Sequence, residues 1–114
     1  MQISQNCPTP LTTPAQGCFI FDYPIVTIWN NTPYAAVGEI LYLGCSSEQF
    51  AVAPGATWAS PVCRGLCLLS EIRGLACSTS YIPITPYTST GTSYASFEIQ
   101  ENSNGDIYVD RIVN

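Results

Sequence analysis

The sequence contains no lysine and no histidine, and its only basic residues are Arg64, Arg73 and Arg111. Without histidine or lysine the chain cannot assemble a Ser-His or Cys-His nucleophile, and it cannot form a Schiff base. Charged residues make up 10% of the chain and the net charge is −5, whereas a typical soluble domain is roughly 25% charged. Nucleic acid is therefore excluded as a partner, because phosphate binding needs clustered Lys and Arg.

Long hydrophobic runs are also lacking. No apolar stretch approaches the roughly 20 residues that a membrane-spanning helix requires, so we expect no membrane span. The first residues contain neither the basic start nor the apolar run of a secretory signal peptide. An anionic membrane surface is disfavoured as well, since so few cationic side chains are present.

The first 17 residues have the composition of an extended arm. They are uncharged and contain Pro8, Pro10 and Pro14, which disfavour a helix or a central strand because proline lacks a backbone donor and fixes φ. The ten residues between Cys7 and Cys18 span about 35 Å when extended, enough to reach a neighbouring subunit. We therefore predict an arm over 1–17 and one domain over 18–114, with Cys7 and Cys18 as candidates for intersubunit disulfides. A frayed terminus or a bridge from Cys7 to Cys18 is the alternative.

Six cysteines in 114 residues favour an oxidising, extracellular destination. Cys45, Cys63, Cys67 and Cys77 are the remaining disulfide candidates. Four cysteines could also form a zinc site. Structural zinc sites usually contain two closely spaced cysteine pairs, however, and here only Cys63 and Cys67 are closely spaced. We therefore expect disulfides and no metal or other cofactor.

Apolar and aromatic segments alternate with turn signals every 8–12 residues, the spacing of a β-sandwich. Phe97 and Ile99 alternate with polar residues, and Asn104-Gly105 is a strong hairpin signal before a partner strand carrying Ile107 and Val109 inward. The prediction is an all-β protein, an antiparallel β-sandwich or jelly roll of about eight short strands. Strands are expected in 18–23, 25–30, 38–44, 49–53, 57–60, 65–73, 77–84, 93–101 and 106–113, with a loop over 85–92.

Two polar-aromatic loops suggest a carbohydrate site. Asn31 and Tyr34 follow one predicted strand, and Tyr87 and Tyr94 lie in the predicted loop and just after it. Aromatic rings beside amide and hydroxyl groups can stack and hydrogen-bond sugars. Asn30 also begins an Asn-Asn-Thr glycosylation pattern.

Enzymatic chemistry has few candidates. Glu98, Asp106 and Asp110 lie on the predicted last hairpin, where paired carboxylates would suit glycoside hydrolysis or calcium binding. The same residues also occur on ordinary solvated strand faces, and no Asp-rich loop accompanies them. We expect no enzyme.

An uncharged arm with cysteines before a β-domain is a layout that resembles the endospore appendage subunits of bacilli. That resemblance implies a filament in which strands add edge to edge and each arm is disulfide-bonded to earlier subunits. Cys7 would be the arm cysteine and Cys18 a second one at the domain boundary. A looser resemblance, carried by IVTIWNNTPY and VAPGATW, is to small secreted β-sandwich lectins and toxins.

The sequence thus predicts a structural subunit that assembles with copies of itself into an extracellular fibre or coat at the cell or spore surface. Edge-strand pairing and the cysteine arm would join the copies. The alternative is a secreted binding module that recognises carbohydrate or a cell-surface partner through Asn31, Tyr34, Tyr87 and Tyr94.

Overall fold

The structure, a computed structural model, describes residues 18–113, so the predicted arm and Cys7 lie outside the described residues. Within that range the chain forms eight strands and no helix, which confirms the all-β prediction. The strands are β1 Thr27–Asn31, β2 Ala35–Tyr42, β3 Cys45–Val52, β4 Thr57–Ala59, β5 Leu69–Cys77, β6 Tyr81–Thr92, β7 Ser96–Glu101 and β8 Ile107–Arg111.

All eight strands belong to one sheet with the order β3-β2-β5-β6-β8-β7-β1-β4. The sheet is mixed, because β1 pairs parallel with β7 and β6 pairs parallel with β8. The expected antiparallel sandwich or jelly roll therefore differs from the observed fold. The sheet curls into a nearly closed barrel, and its edge strands β3 and β4 come into contact.

Strand β6 is the largest departure from the predicted strand positions. Thr85–Thr92, expected to be a loop because it is polar and contains a proline, continues the strand. This long strand pairs with β5 over most of its length, with β-bulges that shift the register. It also contacts β8 at Thr85, and in this way joins the two halves of the barrel. The segment 18–23, expected to be a strand, is instead a turn.

The alternation of apolar and polar residues along the strands places the apolar side chains in the core, as the sequence indicates. Phe97 and Ile99 on β7 and Ile107 and Val109 on β8 are all buried, as predicted. Side chains from every part of the sheet complete one continuous cluster, including Ile28, Ala36, Ile40, Phe50, Val52, Ile72 and Ile84.

Side-chain hydrogen bonds join the two sheet edges where a backbone ladder is missing. We call the gap between β3 and β4, together with residues 60–64, the seam. At one end of the seam the amide of Asn30, which is fully buried, donates to the carbonyl oxygens of Val52 and Ala53 at 3.3 Å. At the other end the hydroxyl of Ser60 donates to the carboxylate of Glu48.

Gly38 lets the aromatic ring of Phe50 lie directly on the sheet. A Cβ atom at this position would lie 2.8 Å from the Phe50 ring and would also meet the Arg73 carbonyl oxygen. Gly44, in contrast, sits in the β2–β3 turn at φ +71°, where a Cβ atom would have no neighbouring atom within 4 Å.

We predict that Gly38→Ala lowers the free energy of unfolding by about 3 kcal/mol, because an overpacked position forces the strands apart. Gly44→Ala is the control, and its cost is about 1 kcal/mol because only the left-handed backbone conformation is strained. Urea unfolding of both variants measures the difference. Equal losses would show that the contact between Phe50 and Gly38 does not constrain the barrel.

Candidate functional site

Most of the large apolar side chains that are exposed in residues 18–113 lie at one end of the barrel. This end, which we call the apolar end, is formed by the connections 18–26, 43–44, 60–68 and 93–95 and by the residues after β8. Its exposed apolar side chains are Phe19, Ile20, Phe21, Leu43, Val62, Leu66, Tyr94 and Val113. Monomeric proteins rarely expose so many neighbouring apolar groups, so this end is the candidate functional site.

The turn from Phe19 to Asp22 is the most exposed part of the apolar end. Phe19, Ile20 and Phe21 are 83%, 89% and 80% exposed. The Asp22 amide donates to the Phe19 carbonyl at 3.0 Å, and the Asp22 carboxylate accepts from the Phe19 amide at 3.1 Å. These two bonds close the turn locally, so the three apolar side chains are presented together to solvent.

Two disulfides fix the loops of the apolar end to one another. Cys18 is bonded to Cys63, which lies 45 positions further along the sequence, and Cys45 is bonded to Cys67. The prediction of disulfides is thereby confirmed for these pairs, and they indicate an oxidising, extracellular or secreted environment. Cys18, proposed from sequence as an intersubunit cysteine, is instead bonded within the chain. Cys77 is also disulfide-bonded.

Arg64 links three of these loops from inside. The side chain is 7% exposed. Its Nε donates to the carbonyl of Pro24 at 3.0 Å, and its Nη2 donates to the carbonyls of Ser93 and Tyr94 at 2.6 and 3.0 Å. The guanidinium also lies 5.5 Å from the centre of the Tyr23 ring, a cation–π distance. Burial lowers the pKa of Arg64 from its usual value.

A polar group of three side chains lies beside Arg64 at the seam. Glu48 accepts hydrogen bonds from the hydroxyls of Tyr42, at 3.1 Å, and Ser60. Burial, together with the neighbouring Glu48 carboxylate, raises the pKa of Tyr42 well above its usual value. The phenol therefore stays protonated and remains a hydrogen-bond donor to Glu48.

The residues predicted to bind carbohydrate are not brought together. The amide of Asn31 donates to Glu98 at 2.9 Å, and the Tyr34 backbone bonds to Asn30 at the end opposite the apolar end. Tyr87 packs on the core residue Phe97 with ring centres 5.0 Å apart. Tyr94 lies at the apolar end, stacked on Arg111. Asn30, the acceptor of the glycosylation pattern, is fully buried.

The structure places two of the three carboxylates of the last hairpin opposite each other and leaves the third apart. Glu98 and Asp110 face each other across β7 and β8, while Asp106 lies in the turn beyond the ends of both strands. Among the described residues, Cys18, Asp22 and Cys63 form the one group whose ligand atoms lie within 4.8 Å of one another. Two of these three sulfur and oxygen atoms belong to a disulfide, which does not supply thiolate ligands.

Little in the sequence pattern indicates the exposed turn or the buried arginine that define the apolar end. Phe19–Phe21 has the composition of a buried strand, and only the following Asp22 and Pro24 signal a turn. Arg64 looks like an ordinary surface cation, since its burial depends on carbonyl groups that lie 29–40 residues away in sequence.

Replacing Arg64 with lysine tests the linking role of the guanidinium. Lysine retains the charge but cannot donate to acceptors on two sides, so we expect Arg64→Lys to lower the free energy of unfolding by about 3 kcal/mol. Arg73→Lys is the matched control, because Arg73 forms an exposed ion pair with Glu39 and its replacement costs less than about 0.5 kcal/mol. Chemical denaturation compares the two, and equal losses would contradict the role given to Arg64.

The raised pKa of Tyr42 predicts sensitivity to alkali. The unfolded chain releases the phenol proton at the usual pKa of 10.0 and the folded chain only at higher pH, so the stabilisation is complete below pH about 10 and is lost above it. Tyr42→Phe should flatten the decline of the melting temperature above pH about 10. Tyr81 is exposed, and Tyr81→Phe should leave the decline of the melting temperature as it is in the unmodified protein. If both substitutions flattened the decline equally, Tyr42 would not be its source.

In the described part of the chain, no helix has the length and hydrophobicity that a membrane crossing requires. The chain was also compared with protein-family models, with curated proteins and with solved structures. None of the three comparisons found a match.

Proposed function

We propose that this protein is an extracellular structural subunit that associates with copies of itself through the apolar end. The observation that carries this proposal is the turn at Phe19–Phe21, where three consecutive large apolar side chains are at least 80% exposed. Leaving such groups in water is unfavourable, so a surface that covers them is favoured.

The exposed area is in the range that a protein interface needs. Three side chains of roughly 150–200 Å² each, exposed to this extent, contribute on the order of 450 Å² of apolar surface. The neighbouring side chains of Leu43, Val62 and Leu66, which are 48–64% exposed, extend this patch. The total approaches the roughly 800 Å² that each partner contributes to a standard interface.

The distribution of charge favours a second copy at this end. With a net charge of −5, copies of the chain repel one another over most of their surface. The loops of the apolar end contain one carboxylate with an exposed portion, Asp22, and it accepts the Phe19 amide. Contact through this end therefore brings few like charges together.

The geometry favours this route of assembly over edge-strand pairing. The edge strands β3 and β4 face each other across the seam, and Asn30, Ser60 and Glu48 occupy the space between them. An incoming strand would have to break these hydrogen bonds first. The proposal makes no use of Cys7, which lies outside the described residues.

The alternative function, a carbohydrate-binding module, has less support. Asn31 and Tyr34 lie at the end opposite Tyr94, and Tyr87 packs on the core residue Phe97. A site built from these residues would need them on one surface.

Sedimentation velocity over a range of protein concentrations tests the proposal. The unmodified protein should form dimers or larger assemblies as its concentration rises, and Phe19→Ser combined with Phe21→Ser should shift the midpoint at least tenfold higher. Leu75→Ser is the matched control, because it removes an exposed apolar side chain from the outside of β5, and it should leave association unchanged.

A monomeric protein at all concentrations would overturn the proposal. Flotation with phosphatidylcholine vesicles then tests whether the apolar end binds lipid instead. Vesicle binding by the unmodified protein that is lost in the Phe19→Ser, Phe21→Ser variant would assign the apolar end to a lipid surface. Electron microscopy of the assembled material distinguishes a closed oligomer from a fibre or coat.

A further inference from the structure

The disulfide between Cys18 and Cys63 lies at the base of the exposed turn. It joins the residue immediately before Phe19 to the loop 60–68, 45 positions further along the sequence. Cys18 is exposed, so a thiol in solution can approach the bridge. Reduction of this bond would release the start of the turn, and the resistance of the bond to thiols therefore decides whether Phe19–Phe21 stays fixed to the barrel.

A carboxylate lies beside this disulfide. A carboxylate oxygen of Asp22 and the sulfurs of Cys18 and Cys63 all lie within 4.8 Å of one another. The carboxylate is held in this position because it accepts a hydrogen bond from the Phe19 amide at 3.1 Å. Asp22 therefore places a negative charge against the disulfide.

The nearest cation in sequence, Arg64, is committed to other groups. It follows Cys63, but its side chain is buried and its guanidinium donates to the carbonyls of Pro24, Ser93 and Tyr94. A buried cation that is bonded to carbonyl groups does not attract a thiolate that arrives from solvent. The charge that such a thiolate meets at the bridge is therefore that of Asp22.

The disulfide between Cys45 and Cys67 provides an internal comparison. It ends on the same loop 60–68. Within residues 18–113, no carboxylate oxygen lies within 4.8 Å of both of its sulfurs. The two bridges of the apolar end thus differ in whether a carboxylate adjoins them.

Reduction by a thiol begins when a thiolate attacks one sulfur of the disulfide. A bond forms between the thiol sulfur and that cysteine, the bond between Cys18 and Cys63 breaks, and the other cysteine leaves as a thiolate. A second thiolate then attacks the mixed disulfide and releases the oxidised reagent, and both cysteine thiolates take up protons from water. A neighbouring carboxylate opposes the approach of the thiolate and the negative charge on the leaving sulfur, because like charges repel.

We propose that Asp22 protects the disulfide between Cys18 and Cys63 from reduction by anionic thiols, and in this way keeps the exposed turn fixed to the barrel. This role concerns the covalent structure of a single chain. It goes beyond the proposed self-association and does not require that copies of the chain meet.

Reduction by glutathione at neutral pH, followed by alkylation of the released thiols and peptide mass spectrometry, tests the proposal. Asp22→Asn keeps an acceptor for the Phe19 amide but removes the charge, and it should raise the rate of reduction of the Cys18–Cys63 bridge by at least about threefold. The rate for the Cys45–Cys67 bridge should not change. Asp106→Asn is the matched control, because it removes an exposed carboxylate at the opposite end of the barrel and should alter neither rate.

The charge of the thiol separates electrostatic protection from a loosening of the turn. Glutathione is anionic, whereas cysteamine carries an ammonium group that the carboxylate attracts. The acceleration in Asp22→Asn should therefore be smaller with cysteamine than with glutathione. An unchanged rate with glutathione, equal acceleration by the two thiols, or acceleration of both disulfides would overturn the proposal.

Discussion

The hydrogen bonds of the buried Arg64 guanidinium tie together the loops that form the apolar end. They join the carbonyl of Pro24 to those of Ser93 and Tyr94, and so connect the start of the domain to the loop before β7. Cys63, next to Arg64, is bonded to Cys18, so a disulfide and the hydrogen bond from Arg64 to Pro24 both tie residues 60–68 to residues 18–26. Burying a cation without a carboxylate partner is costly, and the structure offsets this cost with several backbone acceptors and the Tyr23 ring.

Bonds on both sides hold the exposed apolar turn to the rest of the barrel. Phe19–Phe21 makes little contact with the core, yet the disulfide of Cys18 precedes it and the Tyr23 amide, bonded to Gly65 at 2.8 Å, follows it. A turn held at both ends loses little conformational freedom when it is covered by a partner. Rigid presentation of apolar groups therefore favours association.

The strands could be predicted from sequence where one face is buried. Phe97, Ile99, Ile107 and Val109 alternate with polar residues, and their burial follows from that period of two. Thr85–Thr92 could not be recognised as a strand, because its polar residues reflect an exposed face and its partners lie on β5 and β8. The parallel pairings that curl the sheet depend on contacts between distant segments, which local pattern does not encode.

The candidate site was harder to predict than the fold. An apolar segment usually indicates a buried one, so Phe19–Phe21 reads as part of the core until the turn bonds of Asp22 are seen. Asn31 and Tyr94 share the chemistry of a carbohydrate site, but β1 and β7 run parallel, so Asn31 at the end of β1 and Tyr94 before β7 lie at opposite ends of the barrel. Cys45 and Cys67 could be named as disulfide candidates, but their pairing depends on how the barrel folds.

We propose that copies of this protein meet through the apolar end. Amide NMR spectra recorded over a range of protein concentrations test it most directly, because they report which residues enter the contact. We expect shifts that grow with concentration and are confined to Phe19–Asp22 and the loops linked by Arg64. Shifts located along the exposed side of β3, or spectra that do not change with concentration, would contradict it.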